Sequence, residues 1–137
     1  YSTSGLLALH WHGPRDARDV VLMCGGAMGG VLGPAFGLYV ALADHFATLG
    51  IGTIRVGYRM PNDLDRCVHD LAAAADLAVR SGADRFVTVG HSFGGAVALR
   101  AGIAFGSHCA GMVLLATQSA GCEHGDQRGD PGGLHAR

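Results

Sequence analysis

Arg85-Phe86-Val87-Thr88-Val89-Gly90-His91-Ser92-Phe93-Gly94-Gly95-Ala96-Val97-Ala98-Leu99 is the stretch that decides the fold. Apolar, β-branched residues up to Val89 read as a buried strand, and Phe93 to Leu99 as the start of a helix. Between them lies Gly-x-Ser-x-Gly, a strand-to-helix corner that lifts a serine hydroxyl clear of the backbone. The glycines have a steric reason. So tight a corner brings strand and helix backbones together, so Gly90 and Gly94 stand where a Cβ would collide. Gly95 and Ala96 let the helix settle on the sheet. A flexible loop in a chain with 23 glycines could match the pattern by chance, but β-formers precede this one and helix formers follow it. Ser92 is the candidate nucleophile.

Upstream, Val20-Val21-Leu22-Met23-Cys24 is a continuous apolar run, the pattern of a strand buried on both faces. A glycine-rich loop from Gly25 to Gly33 follows. Pro34 suits a first helical position, and Phe36, Tyr39, Val40, Ala43, Phe46 and Ala47 recur at helical spacing up to Gly50. Ile51 to Val56 predicts another strand. Asn62-Asp63 can cap a helix with Leu64, Cys67, Val68, Leu71, Ala75 and Ala78 on one face, ended by Ser81-Gly82. At the start, Leu6 to Trp11 predicts a strand and His12-Gly13-Pro14 a turn. A helix from Phe93 to about Phe105 leads to Met112-Val113-Leu114-Leu115, the last core strand. This alternation predicts an α/β protein: a three-layer α/β/α sandwich with a mostly parallel sheet of about five strands and three main helices. The core spans 1–119, and a glycine-rich, irregular tail spans 120–137.

At 137 residues the chain fits one domain. Its net charge of -1, from ten basic and eleven acidic residues spread along the sequence, offers no basic patch for nucleic acid or an anionic membrane. No apolar stretch approaches the length of a membrane span, and no signal-type segment opens the chain. Cys24, Cys67, Cys109 and Cys122 lack metal-type spacing, and three lie beside apolar runs, which fits a reduced, cytoplasmic setting. His10 and His12 flank Trp11 without a third ligand at useful spacing, so no metal is expected. His45 and His69 fall on helix faces open to solvent, His108 in a loop, and His91 in the variable corner position as a packing residue. The glycine-rich loop is followed by no lysine and does not fit G-x-G-x-x-G, which argues against a nucleotide.

A serine hydroxyl needs a base, a group to orient that base, and donors for the oxyanion that forms. The backbone N–H of Phe93 is one candidate donor, and that of Gly26 or Ala27 in the loop after Cys24 is the other. Each such donor is worth about 3 kcal/mol in the transition state.

Val20 to Gly30 together with Val87 to Gly95 resembles the α/β-hydrolase superfamily. The wider run, through Gly33-Pro34-Ala35-Phe36-Gly37-Leu38-Tyr39, Tyr58-Arg59-Met60-Pro61-Asn62-Asp63-Leu64 and Thr117-Gln118-Ser119, is similar to bacterial hydrolases of the dienelactone-hydrolase-like type. The resemblance covers roughly Leu6 to Ser119. It implies a serine esterase-like enzyme without a cofactor, acting on a small-molecule ester, lactone or related acyl bond. It also implies Ser92 as nucleophile and Phe93 with Gly26 or Ala27 as oxyanion hole. At Cys24 many relatives carry a histidine.

In this superfamily the acid and then the histidine follow the serine on later loops. About twenty residues follow Thr117, too few for two more β-α units. Glu123, Asp126, Asp130, His124 and His135 lie in a stretch without apolar anchors, which cannot hold an imidazole in register. The expectation is therefore a truncated α/β-hydrolase core from a longer enzyme, nearly inactive alone. The alternative is a non-catalytic binding or scaffold protein that keeps the fold. None of these motifs specifies an oligomeric state or one substrate.

Overall fold

A computed structural model describes residues 6–28 and 30–117, except the side chains of residues 35 and 36. Strands β1 (Ala8–His12), β2 (Asp19–Cys24), β3 (Gly52–Gly57), β4 (Arg85–His91) and β5 (Cys109–Leu115) alternate with helices α1 (Pro34–Thr48), α2 (Leu64–Arg80) and α3 (Phe93–Phe105). The sheet order is β1-β3-β2-β4-β5. The neighbours β3/β2, β2/β4 and β4/β5 are parallel, and β1 runs antiparallel along β3. The mostly parallel, five-stranded α/β/α architecture is thus the one expected. The tail over 120–137, with Cys122, Glu123, His124, Asp126, Asp130 and His135, lies outside the described residues, as does the side chain of Phe36.

The continuous apolar pattern of β2 has its cause in the layers. Val20, Leu22 and Cys24 join the core beneath α2 and α3, with Ile54, Cys67, Leu71 and Val97. Val21 and Met23 face the other way, packing with Tyr39 of α1 and Val89 of β4. A central strand covered on both faces has no position left for a polar side chain. Thr88 of β4 ties the sheet to α3, its hydroxyl donating to the Ala98 carbonyl at 2.9 Å.

The ends of α2 follow the residues expected to set them. Asp63 is the N-cap, its carboxylate accepting the Arg66 amide at 3.1 Å, and Ser81 closes the helix before Gly82 at φ 119°. One boundary departs from expectation: His12 belongs to β1 and not to the turn after it. The one antiparallel strand of the mostly parallel sheet is β1, because residues 13–18 are too few for the crossover that a parallel strand would need. Cys24, Cys67 and Cys109 are free thiols. Among the described residues no helix is long and apolar enough to cross a membrane.

Leu22 is fully buried in the central strand. Leu22→Ala should lower the unfolding free energy by about 2–5 kcal/mol, read as a lower urea midpoint with an unchanged slope.

Candidate active site

Ser92 sits between β4 and α3 at φ 58° and ψ -120°, a region that L residues rarely occupy and that costs about 1–3 kcal/mol. Specific bonds hold it there. The Ser92 amide donates to the Leu115 carbonyl at the end of β5, and the Gly95 amide to the Ser92 carbonyl, both at 2.9 Å. The glycines are as tightly placed as the sequence implies. A Cβ on Gly90 would fall on the Gly94 carbonyl, and one on Gly95 would fall on the Thr117 side chain. A Cβ on Gly94 would stand 2.5 Å from the carbonyl oxygens of both Cys24 and Gly25. The corner therefore touches the loop after β2 through bare backbone.

That loop is held at both ends. Tyr39 on α1 donates its hydroxyl to the Cys24 carbonyl at 2.7 Å, and Tyr58, just past β3, donates to the Gly25 carbonyl at 2.9 Å. At the far end the Arg55 guanidinium donates to the Val31 carbonyl at 2.7 Å, and the Tyr39 amide to the Leu32 carbonyl at 3.0 Å. Burial pushes both phenols and the Cys24 thiol well above their ordinary ranges. The tyrosines therefore stay protonated and remain donors. A depression of about 170 Å³ lies between the loop and His91.

Asp70 on α2 is fully buried and lies against Arg59. Its Oδ2 accepts the Arg59 amide at 2.9 Å and its Oδ1 accepts Nε at 2.6 Å. Next to it, Cys67 donates to the Met60 carbonyl at 3.4 Å. Its thiol is pushed up to about 11 by burial first and by the Asp70 charge second.

The four residues expected to form the site fall on two adjoining pieces of backbone. Ser92 and Phe93 are at the corner, Gly26 and Ala27 in the loop, and the pieces meet at Gly94. Ser92 is half-buried, and among the described residues no histidine or carboxylate hydrogen-bonds to its hydroxyl. His91 borders the depression. His10, His45 and His69 are exposed, and His108 Nδ1 lies 3.1 Å from the Asp84 carbonyl. His12 is more engaged than a solvent-facing strand residue. Its Nε2 accepts Arg55 Nε at 2.9 Å, so Nδ1 carries the proton shared with Asp44 at 3.2 Å. No group of potential metal ligands occurs among the described residues.

Tyr39, Tyr58, Arg55 and Asp70 are the site's supports that sequence reading passed over. Two carried a visible signal. Asp70 stands three residues after Cys67 and four before Ala74, a carboxylate on the apolar face of α2, and Arg55 interrupts the apolar run of β3.

No protein-family model matches the chain, and no curated protein does. Solved structures do. Dienelactone hydrolase from Anabaena variabilis aligns with a TM-score of 0.66 at 17% identity, over 81% of this chain and 57% of that one. Est1E from Butyrivibrio proteoclasticus, with ferulic acid bound, aligns with a TM-score of 0.68 at 17% identity, over 96% and 56%. MGS-MChE2, an α/β hydrolase from the metagenome of Mar Chica lagoon sediments in Morocco, aligns with 0.64 at 18%, over 84% and 50%. The fold is that of the α/β hydrolases, and the chain spans roughly half the length of these structures.

Two alanine substitutions separate close approach from the general effect of losing a glycine. Gly94→Ala presses a methyl on two carbonyl oxygens that cannot yield and should cost about 1–3 kcal/mol. Gly111→Ala on β5 meets nothing within 4 Å and should be neutral or stabilising by about 0.5–1 kcal/mol. Urea titration that found the same sign for both would contradict the contact at Gly94.

Proposed function

We propose that Ser92 is the nucleophile of a serine hydrolase acting on ester, lactone or related acyl bonds of small molecules. Its oxyanion would be met by the Phe93 amide and that of Gly26 or Ala27. The observation that carries the proposal is the Ser92 backbone, held at φ 58° between a buried strand and the first turn of a helix. Ordinary helix entry needs no such strain, and a conformation this costly persists where the surroundings over-determine it. The fold shared with esterases and a dienelactone hydrolase supports the same chemistry.

In the proposed reaction Ser92 Oγ adds to the carbonyl carbon while its proton passes to a base. The oxyanion sits against the two amides, and its collapse expels the alcohol or opens the lactone. Water then cleaves the acyl-serine. The Phe93 amide is suited to its part because α3 starts there with no side-chain cap, and the positive end of the helix faces the corner. Space over Gly26 is open, since a Cβ there would meet nothing within 4 Å.

The base is what the described residues do not supply at Ser92. Without it a serine hydrolase retains only about 10³ to 10⁴ of its rate over water, the part owed to binding and the oxyanion hole. The chain by itself is therefore proposed to turn over esters very slowly.

A fluorophosphonate tests the nucleophile without requiring turnover. Oγ forms a bond to phosphorus, fluoride leaves, and the proton goes to solvent. Intact-mass and peptide mapping should find one slow adduct, on Ser92 and not on Ser81 or Ser107, lost in Ser92→Ala and accelerated by added imidazole. An unlabelled Ser92, or labelling of Ser81 and Ser107 equal to that of Ser92, would replace the hydrolase assignment with a binding or scaffold role.

A further inference from the structure

We infer that Tyr58 and, through Arg59, Asp70 are positioning residues that aim the Gly26 amide at the oxyanion. The inference rests on the hydrolase assignment above and selects Gly26 from the two loop candidates. Its physical basis is the planarity of the peptide unit. The Gly25 carbonyl and the Gly26 N–H belong to one trans peptide, so they point in opposite directions and cannot be turned independently. Tyr58 Oη donates to that carbonyl at 2.9 Å from a buried position. The Gly26 N–H must then point the opposite way, away from the Tyr58 hydroxyl.

Tyr58 also reaches the other half of the site. Its ring meets the Phe93 ring edge-on, 6.2 Å between centroids at 89°, and Phe93 carries the second amide. One side chain therefore fixes both proposed donors relative to each other, by its hydroxyl on one side and its ring on the other.

Asp70 determines where Tyr58 stands. The residue after Tyr58 is bound to Asp70 through both its backbone amide and its guanidinium, so the chain leaving β3 cannot shift without breaking a buried charge-assisted cluster. A carboxylate removed from water costs several kcal/mol unless its oxygens are satisfied. Here Arg59 satisfies them with a geometry that also locks its own backbone. A purely structural anchor could have been apolar, as Leu71 and Ala74 are beside it. The acid is distinguished by holding a main-chain amide one residue from the tyrosine that turns the Gly25 peptide.

The test separates aim from folding. Phosphonylation of Ser92 in the 137-residue chain is measured against fluorophosphonate concentration and resolved into an apparent dissociation constant and a limiting rate. Tyr58→Phe keeps the ring and deletes the hydroxyl. It should lower the limiting rate by about tenfold, the equivalent of one net hydrogen bond, and leave the dissociation constant within about twofold. Asp70→Asn should act in the same direction. In hydrogen exchange, both variants should speed the amides of residues 25–28 while those of β4 stay protected. Wild-type labelling with an unchanged limiting rate in Tyr58→Phe overturns the positioning role and leaves Ser92 as nucleophile. If wild-type Ser92 takes no adduct, the hydrolase assignment falls, and unchanged exchange at 25–28 in Tyr58→Phe then overturns the positioning of the loop as well. Should Asp70→Asn fail to fold, Tyr58→Phe decides alone.

Discussion

The close approach of the first turn of α3 to the end of β2 is the contact on which the carboxyl edge of this sheet depends. β2 and β4 are parallel neighbours with Cys24 opposite Gly90, so the segments that follow them leave the sheet side by side. In a parallel sheet that edge is where ligands bind, because adjacent connections open a crevice there. The crevice is kept narrow by glycine. With hydrogen at Gly94, the carbonyls of Cys24 and Gly25 occupy the space a methyl would take, and two loops distant in sequence behave as one piece of backbone.

Backbone packed so tightly must satisfy its own polar groups, and it does so through side chains from other elements. Tyr39, Tyr58 and Arg55 take the carbonyls of Cys24, Gly25 and Val31. Each net bond contributes only about 1 kcal/mol, but an unmet buried carbonyl would cost about 1–3 kcal/mol. The polar ends of these three side chains inside a small core are thus accounted for by the loop they hold. The strain at Ser92, about 1–3 kcal/mol, is of the same order as two such bonds. It is sustained by the Leu115 carbonyl and the Gly95 amide together with packing at Gly90 and Gly95.

The parts of this architecture that show in the sequence are those governed by local rules. Period and burial marked β2, α2, β4 and α3, because a strand covered on both faces and a helix covered on one leave unambiguous patterns. Asp63 and Gly82 marked the ends of α2 because capping and left-handed backbone restrict residue type. The corner at Ser92 was legible because steric crowding admits only glycine at Gly90 and Gly94. What stayed hidden depends on contacts between distant residues. A tyrosine at helical spacing, such as Tyr39, reads as core whether or not its hydroxyl finds a carbonyl fifteen residues away. Tyr58 and Arg59 lie between elements, where no period exists to give them a face. Asp70 was visible as an exception on an apolar stripe, but its partner was not, since nothing local ties α2 to the end of β3. The antiparallel β1 could have been read from the short 13–18 connection.

Serine hydrolysis divides into two tasks with different structural demands: stabilising an oxyanion and moving a proton. The first needs fixed dipoles, and fixed dipoles need anchors. In this chain the anchors come from α1, from β3 and its end, and from α2, all between β2 and β4 in sequence. Among the described residues, the loop that would carry one donor is consequently anchored by the same run of chain that leads to Ser92. Proton transfer needs an imidazole held within a fraction of an ångström, and no described residue fills that place. Among the described residues the two tasks are thus separated: anchors for the proposed oxyanion site are present, and a base at Ser92 is not.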